Sequence, residues 1–301
     1  MAEKKDLDFT YTTIDKIFRL SMGQTGDYSG SKYDGDFSLT LEEAQEAKHK
    51  FIADSLNITK DSKVLDMACG WAPFISYVTK DRQANVMGLT LSEGQAAACQ
   101  KNGFDVRVQD CRTVKPEDFG TFDAISCIGG LEHFCSVEEW QAGKQEEVYA
   151  NFFQTIYDLL PVGGRFYMQT MVFSKNMIEF EEMDVNAPKG SAERVMALMV
   201  EEFPGSWLPY GPEMVIRNAE PKFKLISQSS GRLDYIETIK QWQKRFKKFG
   251  FRKYLLYLSL VPNYIFNKDF RHLLATLNES PNRVCFEKEI MDHYRLVFEK
   301  V

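Results

Sequence analysis

Apolar residues along this chain fall into runs of two kinds. Between Lys63 and Val172, short apolar runs of strand length alternate with longer stretches of helical period. Val64, Leu65 and Met67 form the first run, and an amphipathic segment follows it after Ala72. Ala84 to Leu89 is the second, with a helical stretch from about Ser92 to Asn102; Asp105 to Val108 is the third and Phe122 to Ile128 the fourth. A helix from Glu146 to Leu159 stops at Pro161 and Gly163-Gly164, and Arg165 to Val172 forms the fifth strand. This alternation predicts an α/β fold, a doubly wound parallel sheet with helices on both faces and a ligand edge at the strand C-termini.

The flanks read differently. Residues 1–58 are helical and amphipathic, broken by a polar loop from Gly23 to Asp36; Thr40 with Glu43 makes a capping box that opens a helix reaching about Ser55. Beyond Phe173 a polar, acidic segment, a helix from about Ser191 to Glu202 and the turn-rich Phe203 to Pro209 interrupt the alternation, an insertion expected to hang over the sheet edge as a lid. A helix (about Pro212 to Glu220), a strand (Phe223 to Ser227), a helical stretch (Asp234 to about Ala275) and an alternating strand-like segment (Asp292 to Glu299) complete the chain.

Composition narrows the classes. At 301 residues, 44% of them apolar, the chain can bury a large core, and 37 basic against 43 acidic residues leave no electrostatic case for nucleic acid. The six cysteines are scattered without a CxxC pair, and no histidine stands at ligand spacing, so neither a metal site nor a disulfide framework is expected and a reducing cytoplasm fits. No segment approaches the roughly 18 consecutive apolar residues of a spanning helix. Membrane contact is therefore limited to the periphery, where the basic, amphipathic run Lys240 to Lys253 could meet anionic headgroups or simply be a solvated helix face.

The candidate chemistry centres on Lys63 to Asn85. A strand ending near Asp66, a loop of small residues (Ala68-Cys69-Gly70-Trp71-Ala72) and a helix start bring backbone N–H groups close to a nucleotide-like ligand. The loop is a poor match to GxGxxG, which disfavours a nicotinamide oxidoreductase. The combination of Tyr28-Ser29, Thr40 to Gln45, Asp66 to Trp71, Leu89 to Ser92 with Gln95, Leu131 to Phe134, Leu159 to Gly164, Phe203 to Gly205 with Leu208-Pro209, and Tyr235 with Thr238 and Trp242 resembles the cyclopropane-fatty-acid and mycolic-acid cyclopropane synthase family, whose motifs coclaurine-type N-methyltransferases largely share. The likeness runs from about Gly26 to the C-terminus.

The resemblance implies a class I S-adenosylmethionine (SAM) methyltransferase: a Rossmann-like core (59–174) with an N-terminal helical cap (1–58), a lid insertion (175–210) and a C-terminal part of the sheet (211–301), one structural domain overall. It implies SAM as donor and S-adenosylhomocysteine as product. Tyr28, Ser29, Asp66, Ala68, Gly70, Thr90, Leu91, Gln95, Asp110 and Cys111 are the implied donor contacts; Glu132, His133 and Tyr235 the implied substrate-side chemistry; Tyr33, Gln169 and Trp207 the candidate substrate contacts. The family's ring-closing members hold a bicarbonate with a Cys, a Glu, a His and a Tyr. Here Glu132 and Tyr235 match, but Gly30 stands at the Cys position and Gln169 at the His position. Ring closure needs that base and simple methyl transfer does not, so the expectation is methylation of carbon on an unsaturated lipid-like or isoprenoid acceptor. N-methylation of a small amine, cyclopropanation with Gln169 holding bicarbonate through its amide, and a silent SAM-fold binding protein are the alternatives. No pattern in the chain speaks to oligomeric state.

Overall fold

The computed structural model describes residues 22, 26–203, 205–248, 250–266 and 279–301. The helical reading of residues 1–21, the first residues of the Gly23 to Asp36 loop, Pro204 and the end of the helical stretch towards Ala275 lie outside the described residues.

Helix α1 (Leu41–Ser55) begins where the sequence places it: the Thr40 hydroxyl accepts from the Glu43 N–H while the Glu43 carboxylate accepts from the Thr40 N–H. Strand β1 (Lys63–Asp66), helix α2 (Pro73–Asp81), strand β2 (Asn85–Thr90), helix α3 (Glu93–Lys101), strand β3 (Asp105–Val108), strand β4 (Ala124–Ile128), helix α4 (Gln145–Leu159) and strand β5 (Arg165–Phe173) then alternate as the periodicity predicts. The insertion carries helix α5 (Ala192–Glu202). After it come helix α6 (Gly211–Ala219), strand β6 (Phe223–Ser230), helices α7 (Arg232–Lys247), α8 (Phe251–Phe266) and α9 (Pro281–Glu287), and strand β7 (Met291–Lys300).

The seven strands lie in the order β3-β2-β1-β4-β5-β7-β6. Strands β1 to β5 pair in parallel, as expected, but β7 runs antiparallel between β5 and β6, so the sheet is mixed at one side. Strand alternation tells which face a residue takes and not which way the strand runs, and the sequence therefore could not give this reversal. The chain goes outward from β1 to β3 and returns to lay β4 on the other side of β1. The loops leaving β1 and β4 diverge from that switch point and open a crevice at their C-terminal ends.

Both faces of the sheet are covered, which is why its central strands are nearly continuous in apolar residues. One layer packs α4 and α6 through Phe152, Phe153, Ile156 and Val215 onto Phe166, Leu296 and Phe298. The other packs α1 and α2 through Ile52, Phe74 and Val78 onto Val64, Tyr167 and Val297. A separate apolar cluster, including Met196, Met199, Trp207, Tyr235, Trp242 and Phe286, joins the insertion to α7 and α9 beside the crevice.

Candidate active site

The crevice begins with the loop after β1. Gly70 (φ +52°) and Ala72 (φ +61°) both turn through the left-handed region, at a cost of roughly 1–2 kcal/mol for the alanine. The turn sets Ala72 as an N-cap that has no side-chain hydrogen bond to offer α2. A Cβ at Gly70 would meet nothing within 4 Å. The result is a cavity of about 480 Å³ floored by the ends of β1, β2 and β4, within the size range of small-molecule sites. Every implied donor contact lines it: Tyr28, Ser29, Asp66, Ala68, Gly70, Thr90, Leu91, Gln95, Asp110 and Cys111.

Polar groups in this cavity are held by one another. The Asp66 carboxylate accepts from the Ser126 hydroxyl at 3.1 Å and from the Ala68 N–H, yet burial dominates and lifts its pKa to about 7. The Thr90 hydroxyl donates to Gln95 Oε1 at 2.7 Å, leaving the Gln95 amide N–H groups to a ligand. Asp110 is clasped by Arg112, at 2.7 Å for the shortest contact.

One cluster was not foreseen. Lys48, fully buried on α1, reaches Asp27 Oδ2 at 2.6 Å and Ser29 Oγ at 2.5 Å, and His49 Nε2 lies 3.1 Å from the same carboxylate. Burial opposes the Asp27 charge, but Lys48 and His49 outweigh it and hold the carboxyl well below the ordinary range. All four residues line this cavity. The signal was present in the sequence: Leu41, Ala44, Gln45, Lys48 and Ile52 share the buried stripe of α1, and a lysine there needs a partner.

A second cavity, of about 90 Å³, adjoins the first and shares Tyr28, Ser29, Gly129, His133 and Phe203 with it. Glu132, His133, Tyr235, Gln169 and Trp207 all line it, with Met171, Phe173, Met196 and Met199 supplying apolar wall. Glu132 is buried on the turn after β4, its Oε1 accepting from the Met171 N–H at 2.9 Å; burial raises its pKa to about 7. His133 Nδ1 lies 3.0 Å from Ser206 Oγ, and burial lowers its pKa to about 4. Tyr28 stacks on Trp242, ring centroids 5.3 Å apart. Tyr33 is placed elsewhere: fully buried against Phe37, it lines neither cavity. Its position close to Tyr28 in sequence does not survive the turn that sends the chain into α1.

The residues at the bicarbonate position do not suit that anion. Gln169 Nε2 donates to the Gly30 carbonyl at 3.0 Å and its Oε1 accepts from the Tyr167 hydroxyl at 3.0 Å, so the amide is engaged at both ends. Gly30 brings no side chain, and the space a Cβ would occupy there is bounded at 3.1 Å by His293 Cε1 and Tyr235 Cγ. His293, like Lys48, was not foreseen; it faces inward on β7 at an alternate position with Met291 and Arg295.

With this geometry in view, the likeness to known proteins is specific. The family described as mycolic acid cyclopropane synthetase matches residues 2–257. This chain belongs to that family. It is 30% identical over 236 residues to cyclopropane mycolic acid synthase 3 of Mycobacterium tuberculosis, covering 77% of this chain and 78% of the relative. It is 29% identical over 242 residues to hydroxymycolate synthase MmaA4 of Mycobacterium bovis, covering 79% and 76%. Its fold superposes with a TM-score of 0.77 on cyclopropane synthase MmaA2 of Mycobacterium tuberculosis, at 22% identity and covering 100% and 99% of the two chains. The same score and identity hold for cyclopropane synthase CmaA1 complexed with S-adenosylhomocysteine and CTAB. The chain is thus a SAM-dependent methyltransferase of class I fold. The family's donor fits the larger cavity, where a buried carboxyl, a Thr–Gln pair and an open glycine turn stand together.

Proposed function

We propose that this enzyme methylates carbon on an unsaturated, lipid-like chain. The observation that carries the reading is the adjoining pair of cavities: a polar donor site opens, past Tyr28, Gly129, His133 and Phe203, into a small compartment walled by methionine and aromatic side chains. SAM, when bound, supplies an electrophilic methyl group. The chain's residues do the rest. Asp66, Gly70, Thr90 and Gln95 are the groups we assign to hold the donor, with the Lys48–Asp27–Ser29 cluster fixing the segment that carries Tyr28. The insertion residues Met196, Met199 and Phe203 exclude water, which strengthens any electrostatic interaction inside. Glu132 and the aromatic rings of Tyr28 and Tyr235 are placed to oppose positive charge on the acceptor. The engaged amide of Gln169 and the bare Gly30 support methylation without bicarbonate-assisted ring closure.

We further infer that the acceptor is taken from a membrane surface. No helix among the described residues is long and apolar enough to cross a bilayer. Helix α8, however, carries no acidic residue and turns Phe251, Leu255, Leu258, Tyr264, Ile265 and Phe266 outward, beside the basic end of α7. An apolar helix face next to a cluster of lysines and arginine suits an anionic lipid surface.

Incubating the protein with methyl-labelled SAM and vesicles of dioleoyl phosphatidylglycerol tests both statements. Label in the acyl chain as a methyl or methylene branch supports the reading, whereas a ring in the product, resolved by NMR, or label only in added amines contradicts it.

A further inference from the structure

Among the described residues, one ionisable side chain in the acceptor cavity has a buried ring nitrogen with no hydrogen bond. His293 lies on β7 opposite Met171 of β5, and it is 2% exposed. Arg295, two residues on and on the same face, donates through Nη2 to the Ser31 carbonyl at 2.8 Å and to Asp234 Oδ2 at 2.9 Å, while its Nε is enclosed without a partner. Among the described residues, the His293 ring has no comparable ion pair or carbonyl partner. Its Nδ1 is enclosed without a hydrogen bond. On that side a Cβ at Gly231 would come within 2.7 Å of Nδ1, and a Cβ at Gly30 would come within 3.1 Å of Cε1. Tyr235 meets the ring edge-on, centroids 4.9 Å apart. The ring lines the acceptor cavity, and Nε2 is the nitrogen we assign to a ligand there.

Two glycines make room for this ring, and neither has a backbone conformation that requires glycine. An imidazole nitrogen buried without a partner is less stable than one that is hydrogen-bonded. Packing alone would be served better by an apolar side chain of the same size, so the nitrogen calls for a chemical reason.

We propose that His293 is the proton acceptor of the acceptor cavity. Addition of the methyl group to one alkene carbon leaves the positive charge on its neighbour; a C–H bond beside that cationic carbon breaks, its electron pair forms a new C=C bond, and an N–H bond forms at Nε2. The imidazolium then gives the proton to water as the product leaves. Burial first, then the positive charges of Arg295 and Lys48, keep the ring neutral and ready to accept. Of the other titratable residues lining the cavity, His133 is paired with Ser206 Oγ through Nδ1, Tyr235 meets the His293 ring edge-on, and Glu132, with one carboxylate oxygen bound by the Met171 N–H, opposes the positive charge rather than taking the proton. Because Gly30 and the His293 ring share one space, the imidazole stands where a side chain at position 30 would reach.

This rests on the methyl-transfer reading, and the test separates the two. The full chain with ¹⁵N-labelled histidine is saturated with S-adenosylhomocysteine and then titrated with hexadecyltrimethylammonium, a chain bearing a fixed cation. The His293 ring signals, assigned by their loss in His293→Gln, should be those of a neutral ring, and Nε2 should shift as the probe is added. A doubly protonated ring, or an Nε2 signal that the probe leaves unmoved, overturns the proposal. Failure of S-adenosylhomocysteine to bind the wild type would instead overturn the methyl-transfer reading. On dioleoyl phosphatidylglycerol vesicles, His293→Gln and His293→Asn should lower kcat about 100-fold, with KM and S-adenosylhomocysteine affinity little changed. Added imidazole should restore turnover to His293→Gly, a rescue that a purely structural role would not give. Turnover of the Gln variant within about twofold of wild type would also overturn it.

Discussion

Replacing Glu132 by glutamine should make the protein less active and, at neutral pH and above, more stable. The Glu132 carboxyl is buried, and its pKa is raised from 4.5 to about 7. A carboxyl whose folded-state pKa lies above its unfolded value binds its proton more tightly in the folded state. Its contribution to stability is therefore full below pH 4.5 and is lost as pH rises to about 7. At about 1.4 kcal/mol per unit, the wild type gives up on the order of 3 kcal/mol across that window. Glutamine keeps the shape and an oxygen for the Met171 N–H and does not titrate. Urea unfolding of wild type and Glu132→Gln at a series of pH values would read the difference directly. The gap should open in favour of the variant between pH 4.5 and 7 and stay level above. Stability curves that run parallel through that window would refute the reasoning, because they would mean that Glu132 is not held out of water in the folded protein.

The Lys48–Asp27 pair should behave as a buried ion pair: Lys48→Met strands the Asp27 charge and should cost about 3–5 kcal/mol, most of it recovered in the double variant with Asp27→Asn, as measured by urea midpoints. Gly30→Ala should press on the His293 and Tyr235 rings and cost about 1–3 kcal/mol; a double-mutant cycle with His293→Ala should show coupling, and strict additivity would refute the shared space. Leu258→Glu on α8 should weaken co-sedimentation with anionic vesicles about tenfold while leaving S-adenosylhomocysteine affinity unchanged; an unchanged vesicle affinity, or a shift only in oligomeric mass, would contradict the membrane-facing assignment.

The alternating strands and helices were legible because each is written locally. Thr40 and Glu43 cap α1, Ser92 caps α3, and the apolar runs of β1, β4 and β5 lie where their period puts them. That the residues expected to hold the donor would meet in one cavity was legible for the same reason, since most of them sit at strand ends that the pattern already locates. What sequence could not give depends on partners distant in the chain. The direction of β7 is decided by where the helices after β6 return it. Lys48, His293 and Arg295 were passed over because each is a polar residue at a buried position whose partner lies far away: Asp27 for the lysine, the carboxylate of Asp234 for the arginine, the cavity itself for the histidine. Tyr33 misled in the opposite way, adjacent in sequence to donor contacts but carried into the core by the turn before α1.

That the larger cavity holds the methyl donor while the smaller one presents a lipid chain to it can be tested in a single preparation. Calorimetric titration with S-adenosylhomocysteine, followed in the same preparation by methyl-labelled SAM and dioleoyl phosphatidylglycerol vesicles, tests it most directly. Saturable binding that Asp66→Ala weakens about tenfold, with label recovered in the acyl chain, is the expected result. Absence of binding, or binding with label confined to water-soluble amines, would contradict it.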